Sequence, residues 1–118
     1  MNPTALWRGC FWFSVALTSY LSLMPQEYLP EGIDIWDKLS HAVAFGVIAL
    51  SAALGWPHKG FLRSLAMPLL GFGMLIEVMQ LLIPGREFSL LDILADGVGI
   101  LLAGAVIGLR RSVAKPRQ

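Results

Sequence analysis

The chain has 118 residues, of which 56% are hydrophobic and only 14% charged, with a formal net charge of +1 and a mean hydropathy of +0.67. Soluble domains carry about 25% charged residues, so these values exclude disorder and point to lipid rather than water as the solvent. The near-neutral balance gives no reason to expect nucleic acid, and one cysteine, Cys10, cannot close an internal disulfide.

A transmembrane helix needs roughly 20 mainly apolar residues to cross about 30 Å of hydrocarbon. Four segments meet that need, at about 6–24, 39–56, 61–83 and 88–109. In the first, Arg8 ahead of an apolar run would also suit a signal peptide. Ser22-Leu23-Met24-Pro25 is a poor cleavage site, however, so the segment is read as a span. The breaks between segments carry Pro25, Pro30 and Gly32, then Pro57 and Gly60, then Pro84 and Gly85, all residues that end helices or make turns. In the third segment Pro68, Gly71 and Gly73 mark a kink. In the fourth, Gly97, Gly99, Ala103, Gly104 and Gly108 allow close helix contact, Gly104 and Gly108 being spaced as a small-x-x-x-small pair. The expectation is one all-α domain over 1–118, an integral membrane four-helix bundle with a basic tail at 110–118.

Charge sets the orientation. Arg8, Lys59, Arg63, Arg110, Arg111, Lys115 and Arg117 fall on one side, seven of the nine basic residues, and the positive-inside bias makes that side cytoplasmic. Both termini are then inside, and Trp7 and Trp56 mark the inner interface with Tyr28 and Trp36 at the outer one. The expected location is the inner membrane of a bacterium, crossed several times.

All eight acidic residues lie toward the outer side. Glu27, Glu31, Asp34 and Glu87 are in loops, where water solvates them. The others sit with a few polar partners at the outer ends of three spans: Asp37, Lys38 and His41, then Glu77 and Gln80, then Arg86, Asp92 and Asp96. At 1.5 Å of rise per residue, Glu77 lies about 9 Å and Asp96 about 12 Å below the outer boundary. Ionisable groups at that depth cost several kcal/mol unless paired, neutralised or hydrated, so they should converge in the bundle interior. Helical spacing agrees: Asp37 and His41, Glu77 and Gln80, and Asp92 and Asp96 each share a face. Simpler roles compete for some of them. Asp37 can cap the second span, Ser89-x-x-Asp92 reads as a capping box, Lys38 can reach for headgroups, and Glu77 with Asp96 can lock helices together.

The ordered set Asp37-Lys38-x-x-His41-x-x-x-Phe45, Glu77-x-x-Gln80, Arg86-x-x-x-x-x-Asp92 and Gly97-x-Gly99 resembles the VanZ-like family of small bacterial membrane proteins, over about Asp37 to Gly104. The resemblance implies a multi-span membrane protein and marks Asp37, Lys38, His41, Glu77, Gln80, Arg86 and Asp92 as its site, without a catalytic assignment. Asp96 departs from it, standing where that family typically has asparagine, and is expected to act as a neutral hydrogen-bonding group.

The function expected is binding or modification of an amphiphilic cell-envelope molecule at an outer-leaflet polar site. Lys38 and Arg86, with Gln80, Asp92 and Asp96, would hold its polar head, and His41 with Asp37 or Glu77 would form a proton-transfer pair if the site is catalytic. Whether it is an enzyme stays open. The partner expected is a membrane lipid or lipid-linked envelope molecule, with homo-oligomerisation as an option. Two alternatives remain: a proton- or ion-coupled small transporter, and a structural membrane assembly factor. Imidazole and carboxylate suit divalent ions, but one histidine among acids is slender support. Neither a metal nor another cofactor is therefore expected.

Overall fold

The computed structural model describes residues 2–24, 34–57, 60, 62–85 and 88–114, and the side chains of all of these except 34–37, 62, 63 and 114. Four α-helices account for most of them, with no strand among the described residues: α1 Pro3–Ser22, α2 Asp34–Gly55, α3 Met67–Gln80 and α4 Leu90–Ala114. The all-α expectation is met. Two apolar stretches, Lys38–Gly55 and Leu90–Val113, are long enough to cross a membrane, while the third, Ser64–Gln80, is shorter.

Local chemistry sets the boundaries. The side-chain oxygen of Asn2 accepts from Thr4 N at 3.0 Å and Pro3 opens α1, where its missing N–H costs nothing. A π-helical turn, Leu62–Ala66, leads into α3 ahead of Pro68, whose ring would press on the carbonyl four residues back in a regular helix. The kink read at Pro68, Gly71 and Gly73 is thus a widened turn at the start of the helix. The helix ends at Gln80, where Leu81, Leu82 and Ile83 each donate only three residues back, and Gly85 turns the chain at φ +78°.

α2 lies at the centre, packed most extensively on α4 and next on α1. The α2–α4 contact is made backbone to backbone. A Cβ built on Gly99 would stand 2.0 Å from the Ala42 carbonyl oxygen and 2.9 Å from Gly46 N. The close approach therefore falls on Gly99 and Gly46 and not on the Gly104–Gly108 pair, since nothing lies within 4 Å of a Cβ at Gly108. Around this crossing Phe45, Ile48, Ala49, Ala66, Leu69, Ile76, Ile100 and Ala103 form the apolar core.

α1 buries no residue fully. Its Phe11 and Val15 rest against the core, and Arg8 Nε donates to the Gly55 carbonyl at 2.7 Å, with its guanidinium 5.2 Å from the Trp56 ring centre. Trp56 also meets Phe11 edge to face, at 5.2 Å between ring centres. Arg8 thus satisfies an orphan carbonyl at the end of α2, a local role that its place in the charge pattern did not reveal.

The outer faces are apolar and the interior is polar at one end. On α4, Leu94 is 63% and Leu109 67% exposed, whereas Asp92 and Asp96 are buried. Large aliphatic side chains also stand outward on α2 and α3, at Val43, Val47, Leu75 and Val78. Large apolar side chains exposed on several helices mark a surface suited to lipid or a partner.

Gly99→Ala should force α2 and α4 apart, because the added methyl meets backbone that cannot rotate away. A loss of about 1–3 kcal/mol is expected. Gly108→Ala, with open space around it, should be neutral or gain slightly from helix propensity. Reversible unfolding of the purified variants in mixed detergent micelles measures both.

Candidate functional site

The start of α2, the end of α3 and the start of α4 meet at one end of the bundle, and the polar residues predicted there converge. Antiparallel packing of α3 and α4 across a short connection brings Glu77 level with the first turn of α4. Both helix termini expose backbone groups that need partners, which suits polar side chains to this place.

Ser89 shows how the local sequence makes the site. Its hydroxyl accepts from Asp92 N at 3.3 Å, the expected cap of α4. A full capping box would return the Asp92 carboxylate to Ser89 N. Instead Ser89 N donates to Glu77 Oε2 at 3.0 Å, so α3 supplies the second cap. The Asp92 side chain is thereby released to α2.

There Asp92 Oδ1 pairs with the Lys38 ammonium, which also donates to the Ser89 hydroxyl at 3.3 Å. Asp92 Oδ2 faces His41 Nε2 at 3.7 Å. One turn deeper, Asp96 Oδ1 accepts from His41 Nδ1 at 2.8 Å. The ring thus stands between two carboxyl groups, with Nδ1 toward Asp96 and Nε2 toward Asp92. Glu77 is fully buried, and its Oε1 has no hydrogen-bond partner.

Five predicted site residues therefore share one cluster: Lys38, His41, Glu77, Asp92 and Asp96. Gln80 is also buried, but its amide donates to the Ser22 carbonyl at 2.8 Å, tying the end of α3 to the end of α1. The side chain of Asp37 and the whole of Arg86 lie outside the described residues. Gly73 borders the cluster as well: a Cβ there would fall 2.6 Å from Asp96 Oδ2 and 3.4 Å from the Phe45 ring. Its signal was its place one turn before Glu77 on the same face.

Chemically, the arrangement offers a histidine held between two carboxylates, a half-buried ammonium at its edge and a third carboxylate with an unused oxygen. It can bind a cation inside or an anionic group at Lys38, and it can move a proton through His41. Beneath it Phe45, Ile48, Ile100 and Ala103 close the interior with apolar packing.

Fold and site together define a small all-helical protein, two of its helices apolar and long enough for a membrane, with a polar centre buried between three helices. The chain belongs to the VanZ/LLP1 family, whose model matches residues 5–111. The match takes in α1 as well as the region that carried the resemblance. No curated protein and no solved structure matches the chain.

Asp96→Ala removes the acceptor of His41 Nδ1 and should cost about 1–3 kcal/mol. Asp96→Asn keeps an acceptor oxygen and should stay within about 1 kcal/mol of the parent. Unfolding in mixed micelles, read beside size-exclusion profiles, separates the two outcomes.

Proposed function

We propose that this protein is a multi-pass component of the bacterial inner membrane, with both termini cytoplasmic, whose outer-leaflet site binds the anionic head of an amphiphilic envelope molecule. The observation that carries this reading is the polarity of the bundle. Apolar side chains face outward along the helices, while every buried charged residue described sits at one end, and Lys38 at the edge of that cluster keeps 31% of its side chain accessible.

In this reading the molecule's acyl or prenyl part lies along the exposed Leu and Val faces and its phosphate or carboxylate meets Lys38. Hydrogen bonding to Ser89 and the pair with Asp92 hold the ammonium where a headgroup oxygen can join it. Arg86, the second cation expected from the sequence, lies outside the described residues. The His41–Asp96 bond supplies a proton-transfer pair should the bound head also be modified. The arginines at the other end, Arg8, Arg110 and Arg111, support the cytoplasmic assignment of that side.

Transport is the weaker reading. A proton or ion path needs polar groups through the bilayer. The core under His41 is Phe45, Ile48 and Ile100, each 0–1% exposed, and it gives such a path no relay.

Two measurements test the proposal. In nanodiscs, phosphatidylglycerol should bind more tightly than phosphatidylcholine, and Lys38→Ala should weaken the anionic lipid about tenfold, equivalent to about 1.4 kcal/mol. Equal binding of the two lipids, or no effect of Lys38→Ala, would overturn it. In a Cys10→Ala background, an impermeant thiol reagent added to intact cells should label a cysteine placed at Pro30 and spare one placed at Gln118. The reverse pattern would sink the topology.

A further inference from the structure

His41, Glu77 and Asp92 come from three different helices, yet each offers one ligand atom within 4.8 Å of the others. All the polar groups between them are withdrawn from solvent: the His41 side chain is 10% exposed, that of Asp92 7%, and Glu77 is 0% exposed. We propose that these three residues form a binding site for a divalent first-row transition-metal ion, one imidazole nitrogen and two carboxylates leaving a coordination position open.

Four observations lead there. Glu77 Oε1 is buried without a hydrogen-bond partner, beside an oxygen, Oε2, that is held in place by Ser89 N. A carboxylate oxygen so placed is costly unless something positive meets it. Next, His41 Nε2 and Asp92 Oδ2 face one another at 3.7 Å, beyond direct hydrogen-bond reach. Two ligands of one ion at ordinary zinc distances stand about 3.4 Å apart, so a shift of a few tenths of an ångström closes this pair on a cation.

The third observation is the orientation of the ring. Asp96 Oδ1 holds His41 through Nδ1 at 2.8 Å, which leaves Nε2 on the side of Asp92. A carboxylate behind the imidazole is the usual outer support of a metal-bound histidine. Asp96 is thus a positioning residue for this site and not a ligand. The fourth is charge. Among the described residues, the carboxyl groups of Glu77, Asp92 and Asp96 gather around the single ammonium of Lys38, an excess of acidic groups that a cation would offset.

The mixture of ligands sets the ion. Imidazole favours Zn²⁺, Fe²⁺ and Cu²⁺ over Mg²⁺ or Ca²⁺, while two carboxylates also admit Mn²⁺. The open position would take water or an oxygen of a bound phosphate or carboxylate. The site nevertheless stands apart from the headgroup proposal, because its test contains no anionic lipid.

The experiment uses the full chain in neutral detergent, stripped with chelator and reloaded with Zn²⁺. One equivalent per chain should remain after desalting, and Glu77→Gln should weaken binding at least a hundredfold. A chain that retains no ion, or a folded Glu77→Gln variant that binds as tightly as the parent, would overturn the assignment. Because Glu77→Gln can fail to fold, a second measurement leaves the cluster intact. His58→Gln removes the other of the chain's two histidines, so His41 alone remains. Loaded with Cu²⁺, that protein should show the electron spin-echo modulation of one coordinated imidazole. Its absence would likewise overturn the proposal.

Discussion

The approach of α2 to α4 at Gly99 is the constraint on which the rest of the structure depends. No side chain separates the two backbones there, and the Ala42 carbonyl occupies the space that a Cβ on Gly99 would need. Ala42 adjoins His41, and Gly99 lies about one turn from Asp96. The crossing therefore sets the distance at which the imidazole meets its carboxylate. A wider crossing would lengthen the 2.8 Å bond and leave charged groups stranded in an apolar interior. Close helix contact and the polar cluster are one piece of design, the first supplying the rigidity that the second requires.

The same cluster adds to ordinary helix capping. α3 ends and α4 begins with backbone groups that lack partners, and in water these could be solvated. Here Glu77 takes Ser89 N, Ser89 takes Asp92 N, and Gln80 reaches Ser22. The first and the last of these cross from one element to another, so helix ends and tertiary contacts stabilise each other. Residues that cap helices and residues that form the site are consequently the same residues, and the two roles cannot be divided between them.

Much of this was legible in the sequence, and for a definite reason. Helical periodicity fixes which residues share a face, and burial cost drives deep acids inward, so Lys38, His41, Glu77, Asp92 and Asp96 could be grouped before any coordinates. Pairing within the group was not legible. His41 was expected to work with Asp37 or Glu77; its bond to Asp96 was not foreseen, because the rotation of α2 on α4 depends on the Gly99 contact and not on spacing along α2. Gln80 was placed in the site by its spacing from Glu77, and its bond to Ser22 depends on where α1 ends in space. The small-residue spacing of Gly104 and Gly108 was a true pattern at the wrong depth, since glycine records that contact is allowed without recording which neighbour makes it.

α1 has a different mechanical status from the other helices. It buries none of its residues fully: Phe11 and Val15 rest against the core from outside, and polar ties join Arg8 to the Gly55 carbonyl near its start and the Ser22 carbonyl to Gln80 at its end. Local opening draws on the least protected contacts of a fold, and a helix with no fully buried side chain supplies such contacts along its whole length.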